Sequence, residues 1–254
     1  MRIIDVNCGL GKGKMLLPHR YNDVPGMCAW LDDNDICEAI VFHSEAVRDP
    51  ETGNALILQE CVASGGRLKP CFVTDPSLKS LGIPGVGSVA DRLRAAHPAA
   101  LRTFHNDQKY PFTVFFAGHI LDAAQEIHLP VIISPPYKPL QSFFPTLVSV
   151  CEKYPEVPFV LLRTGFNRSR VIFPILERLT NVYFDIGTML DCGQLEEITE
   201  RFGSRNLLFG SGLPTYEPSG VLGLLYYSCI SQDDRENIAH RNWERLEGGI
   251  CYDN

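Results

Sequence analysis

Eight short apolar runs in this chain each close on residues able to do chemistry. The closing groups are Asn7-Cys8-Gly9, His43-Ser44-Glu45, Thr74-Asp75, His105-Asn106-Asp107, Ser134, Arg163-Thr164-Gly165, Asp185-Ile186-Gly187 and Ser211-Gly212. Cys8, His43, His105 and Asp185 are of metal-ligating type. They come from different runs without a diagnostic local spacing, and hydrogen bonding at a loop suits each histidine better than ligation. Ser134 and His105 have the residue types of a nucleophile and its base, yet Ser-Pro-Pro also has a plain reading as a turn. Around Ser211, FGSGLP lacks the flanking spacing of a serine-hydrolase elbow. GLGKGK fails as a phosphate loop, because Cys8 stands where the first glycine is needed and Met15 follows Lys14. Lys12 and Lys14 remain as loop cations that suit an anion.

The apolar runs are the elements that must hold these groups. They cover residues 2–6, 38–43, 68–74, 100–104, 131–134, 159–163, 182–185 and 206–209, and their continuous Val, Ile, Leu and Phe content reads as parallel strands buried on both faces. Helical patterns lie between them at 87–96 (with Ser88 as cap), 114–127, 140–154, 173–179, 194–203 and 232–246. Pro145 implies a kink or a late start in the third of these, and Gly203 stops the fifth. Eight strands alternating with helices over 254 residues predict one TIM-type (β/α)8 barrel, a single domain spanning 1–254. A doubly wound open sheet is the alternative. In a barrel the polar groups above would all lie at the C-terminal mouth, where such folds keep their sites.

Composition excludes several partners. Lys and Arg number 23 against 30 Asp and Glu, a net charge of -7, so no basic stripe is available for nucleic acid or an anionic membrane. The 9 cysteines form no CxxC pair, which speaks against a zinc knuckle or dithiol site and for reduced thiols in the cytoplasm. No apolar stretch has the length of a membrane span, and MRIIDVN does not begin a signal peptide. The expectation is a cytoplasmic protein, with oligomeric state left open, a homo-oligomer included.

Six ordered motifs resemble the amidohydrolase superfamily, in particular its branch of aminocarboxymuconate-type decarboxylases and related metal-dependent hydrolases. IIDVNCGLG resembles IIDxHxHxG, LPVIISPP resembles LPVxIHxG, and FVLLRTG resembles VxLxHxG. NVYFDIG, FGSGLP and the closing IAHRNWERL resemble the remaining three. The resemblance implies the barrel fold and a hydrolase or decarboxylase. It also implies a metal held by two histidines of the first strand, one each from the fifth and sixth, and an aspartate of the eighth. Those positions carry Asn7 and Gly9, Ser134, Arg163 and Gly212. Glycine offers no side chain, arginine is a permanent cation, and Asn and Ser are weak neutral ligands.

The sequence therefore leads to a barrel that keeps the cup and loses the metal, with no cofactor. Its expected role is hydrolysis or decarboxylation of a small organic acid without metal; the alternative is a catalytically inactive relative that binds such an acid. The pocket candidates are Asn7, His43, His105, Ser134, Arg163, Asp185 and Ser211. A replacement metal site through His43, His105 and Asp185 is the third reading. Arg163 is expected as the fixed positive charge, facing either a bound acid or Asp185. Asp5 is expected to share the facing of Asn7 and Gly9 and to pair with Arg102 inside the barrel.

Overall fold

The apolar runs do become strands. The computed structural model describes residues 1–12, 22–135, 140–165 and 167–253. Eight strands, β1 (Ile4–Leu10), β2 (Glu38–His43), β3 (Leu68–Thr74), β4 (Ala100–Thr103), β5 (Val131–Ile133), β6 (Phe159–Leu161), β7 (Val182–Asp185) and β8 (Leu207–Leu208), pair in chain order. Every pairing is parallel. The last strand region returns to the first through Val6 N–H donating to Phe209 O at 3.0 Å, Gly9 N–H to Leu213 O at 2.8 Å and Gly212 N–H to Asn7 O at 2.9 Å. These bonds close the sheet into a (β/α)8 barrel. The open-sheet alternative falls.

Ten helices among the described residues cover the outside and the lower end: α1 (Val24–Asp33), α2 (Pro50–Ala63), α3 (Val89–Ala96), α4 (Val114–Glu126), α5 (Leu140–Lys153), α6 (Ser169–Arg178), α7 (Gln194–Phe202), α8 (Ser219–Tyr227), α9 (Gln232–Glu236) and α10 (Asn242–Glu247). Capping side chains start several of them. Asp23 accepts from Gly26 N–H before α1, and Ser88 and Asp91 form a reciprocal capping box at α3. Helix α5 runs through Pro145 without ending there.

Two apolar layers result. The inner one takes residues from every strand, from Ile4 and Val6 of β1 through Ile132 of β5 to Leu208 of β8, and is stopped below by Trp243 and Leu246 of α10. The outer one lies between sheet and helices and includes Ile3, Cys8 and Leu10 of the same first strand. Asn242 ties α10 to β8: its Nδ2 donates to Ser204 O at 2.7 Å and Leu207 O at 2.8 Å. That bond pair is a physical reason for an asparagine at the start of NWERL.

Candidate functional site at the barrel mouth

The first strand changes face partway along. Ile4 and Val6 belong to the inner layer but Cys8 and Leu10 to the outer one, and the strand register shifts between Asp5 and Cys8. An extra residue in a strand has this effect, and it leaves backbone donors to be satisfied elsewhere. Asp5 does so. Its buried Oδ1 accepts from Asn7 N–H and from Ser211 N–H, both at 3.0 Å, pinning the irregular turn of β1 to the segment after β8. The expected facing and pairing of Asp5 are therefore corrected. Asp5 precedes the change of face, and no ion pair joins it to Arg102 among the described residues. Burial pushes its carboxyl above the ordinary range, against the pull of the bonds from Ser211 and Asn7.

After the shift, Asn7 points inward, and its Nδ2 donates to Asp185 Oδ2 at 3.3 Å. Asp185 ends β7 fully buried, and its Oδ1 accepts the backbone N–H of Arg163 at 2.6 Å. Burial drives the Asp185 carboxyl up to about 7; the Arg163 backbone bond, the Arg163 charge and Asn7 pull the other way. Arg163 sits in the left-handed region with φ 54°, a conformation that costs a non-glycine residue about 1 kcal/mol or more. The bond to Asp185 offsets that cost. The half-buried Arg163 guanidinium does not meet Asp185; it lies over the Tyr216 ring, 3.3 Å from the centroid.

At Gly212 and Gly9 the space a side chain would need is taken by neighbouring side chains. A Cβ on Gly212 would lie 3.2 Å from Arg163 Nη1 and 2.9 Å from the Tyr216 ring, at a backbone φ of +77°. A Cβ on Gly9 would lie 2.8 Å from the Phe42 ring. On that same ring rests the Arg102 guanidinium, 4.4 Å from its centroid and 4.8 Å from that of Phe104. Arg102 Nη2 approaches Ser134 Oγ at 3.5 Å.

The remaining candidates are held elsewhere. His43 Nδ1 accepts from Glu45 N–H at 3.1 Å, starting a 3-10 turn, and its Nε2 faces Glu60 at 3.8 Å. His105 is buried among aromatic rings, stacked on Phe143 at 5.4 Å and flanked by Phe112 and Tyr110. Burial lowers its pKa to about 4, so the ring is neutral. Ser211 Oγ accepts from Leu213 N–H at 3.1 Å and lies 3.7 Å from Cys8 Sγ, which makes it part of the turn after β8. Asn7, Asp185 and Arg163 are brought together; His43, His105 and Ser211 do not join them. Lys12 is exposed, and Lys14 lies outside the described residues. Tyr216, Phe42 and Phe104 carry no sequence signal that would have placed them here.

A divalent metal does not suit this set. Among the described residues, no group of three or more His, Cys, Asp or Glu side chains is gathered so as to hold one. The carboxylate bonded to the Asn7 side chain, that of Asp185, already takes two N–H donors.

A closed sheet of eight parallel strands with a polar, arginine-bearing mouth defines a (β/α)8 barrel protein. The chain belongs to the amidohydrolase family, whose family model matches residues 23–246. The match begins after β1. No curated protein matches the chain. Among solved structures it is similar to an uncharacterized TIM-barrel protein from Bordetella bronchiseptica, with TM-score 0.78, 13% identity and coverage of 98% of this chain and 99% of that one. A structure described as amidohydrolase II gives TM-score 0.75 at 17% identity over 97% and 99% of the two chains. The 5-carboxyvanillate decarboxylase of Novosphingobium aromaticivorans, with bound manganese and 3-methoxy-4-hydroxy-5-nitrobenzoic acid, gives 0.73 at 12% over 97% of each.

Proposed function

We propose that this protein is a hydrolase or decarboxylase of the amidohydrolase family that takes a small carboxylated molecule at the barrel mouth without a divalent metal. Arg163 supplies the fixed positive charge. The observation that carries the reading is the seat of its guanidinium, 3.2 Å from where a side chain on Gly212 would begin. A cation thus stands beside the position at which the family places an anionic metal ligand. Guanidinium stays protonated at all working pH values and presents a planar fork to carboxylates. The ring of Tyr216 holds that fork on one face and leaves its edge for an acid. The decarboxylase of similar fold, which carries a benzoic acid derivative, supports the class of ligand.

Asp185 is the group at the mouth able to hold or release a proton near neutrality, since its carboxyl titrates at about 7. Its two oxygens already accept from Arg163 and Asn7, so a proton moves through it only as one of those bonds yields. That saturation is also the observation favouring the second reading, a relative that binds the acid and leaves it unchanged.

Three measurements test the reading together. Elemental analysis of protein purified without chelator should give well under one equivalent of zinc, manganese or iron, and chelator should leave the unfolding temperature unmoved. Turnover or binding on a panel of carboxylated lactones, amides and aromatic acids should fall about tenfold or more in Arg163→Met. Stoichiometric metal, or an Arg163→Met protein that handles the acids as the parent does, would overturn it. Turnover separates the enzyme from the silent binder.

A further inference from the structure

Arg102 is a buried cation without an anion. Only 7% of it is exposed, and it projects from β4 on the face of Ala100, into the interior of the barrel. Two aromatic rings, Phe42 and Phe104, lie 4.9 Å apart beneath its guanidinium and hold the plane of the fork. Of its donors, Nη2 reaches a neutral hydroxyl at 3.5 Å, and the buried Nε has no partner. No carboxylate among the described residues lies within 4.0 Å of it. Asp5, the acid expected to meet it, is spent on backbone N–H groups of β1 and the turn after β8. Asp185 is within electrostatic reach of both Arg102 and Arg163 but bonds to neither guanidinium.

Among the described residues, the Arg102 charge is therefore left without an ion-pair partner inside the cup. Two guanidinium groups share the cup with two buried carboxyls, Asp5 and Asp185, each of which accepts from backbone N–H and neither of which forms an ion pair with Arg102. An isolated buried charge is costly unless an opposite charge meets it with good geometry. The two rings pack on the Arg102 guanidinium and its Nε is left without a partner, a presentation that suits a two-pronged oxyanion.

We propose that Arg102 is a second anion seat at the floor of the mouth, so that the ligand carries two acidic groups, one for each arginine. The proposal rests on the carboxylate reading for Arg163 and narrows it from acids in general to diacids. Arg102 acts as a specificity-determining residue: it selects on the second acid group.

Calorimetric titration of the full chain tests this with matched pairs: succinate and glutarate against butyrate, and benzene-1,2- and benzene-1,3-dicarboxylate against benzoate. Inorganic phosphate serves as a separate arm for a lone oxyanion. The expected result is that at least one diacid binds about tenfold tighter than its monoacid in the parent, and that Arg102→Met abolishes this preference while monoacid binding persists. Arg102→Lys keeps the charge in the same place and should retain only part of the preference, because the fork is gone. If Arg102→Met fails to fold, Arg102→Lys and the parent's own diacid preference decide the matter. Equal affinity for mono- and diacids in the parent, or a preference that survives in both variants, overturns the seat while leaving the Arg163 reading intact. Phosphate binding alone, with no organic acid bound, overturns both. Failure of every probe to bind the parent also overturns the reading on which this one rests.

Discussion

Asp185 is where burial and chemistry meet most directly. Its carboxyl titrates at about 7 in the folded protein, against an ordinary value near 3.9 once unfolded. Between those values the folded state holds the proton more tightly than the unfolded state does. This contribution to stability is thus greatest below about pH 4 and is lost as pH rises through 7, a swing of up to about 4 kcal/mol. Asp185→Asn keeps an oxygen for the Arg163 N–H and removes the titration. Its unfolding temperature, measured from pH 4.5 to 7.5, should fall less than that of the parent. A variant whose pH profile parallels the parent's would show that the carboxyl is not the titrating group. The glycines beside it make a second prediction. Gly9→His and Gly212→Asp restore side chains of the family's ligand types, but the first drives a Cβ into the Phe42 ring, and the second must adopt φ +77° against Tyr216. Each should lower stability by about 1–3 kcal/mol in urea unfolding, without creating a zinc-dependent shift in unfolding temperature.

At the scale of elements, the first strand shows what a pattern can and cannot reveal. Its apolar start and polar end are plain in IIDVNCG, and Cys8 faces outward. The change of face is not legible, because it depends on pairing with β2 and β8, and alternation read straight through places Asp5 on the wrong side. Asp5 serves as the pin of that irregularity. Asp5→Ala strips two buried N–H donors of their acceptor and should cost about 2–4 kcal/mol, whereas Asp5→Asn, which keeps an oxygen, should cost less. Equal losses in the two variants, from equilibrium unfolding, would mean that the charge rather than the acceptor matters.

Helix α2 escaped the sequence reading for another reason. Its buried face is Pro50, Gly53, Asn54, Ile57 and Cys61, which keeps helical spacing but contains little that counts as apolar. Asn54 belongs there because it bonds the backbone of Val73 in both directions and Gly82 O as well. Helices α1 and α8 are similarly interrupted by Gly or by runs of one polarity. The eight strands were readable because a strand buried on both faces needs only unbroken hydrophobicity. Of the site, the strand-end groups were legible; the packing of Arg163 on Tyr216 and of Arg102 on Phe42 was not, since the partners of each lie far apart in sequence.

For the molecule as a whole, the barrel is an order of assembly as much as a shape. Strands pair in sequence, so each βα unit docks on one already made, and the first strand waits longest for its second neighbour. Closure needs the segment after β8, and Trp243 and Leu246 stop the lower end. The tail beyond then packs on the end of α4 and the turn between α3 and β4, with Cys251 N–H donating to Ile127 O at 2.9 Å, Tyr252 hydroxyl to Pro98 O, and the Tyr252 ring 4.3 Å from His97. On a ribosome, this places the decisive event late. While residues 1–206 are being made, β1 has an open edge and the interior of the nascent barrel faces water, a condition that invites chaperone engagement. The plug helix emerges some forty residues later, so a ribosome that stalls or terminates early in that interval releases a chain with every strand but no floor.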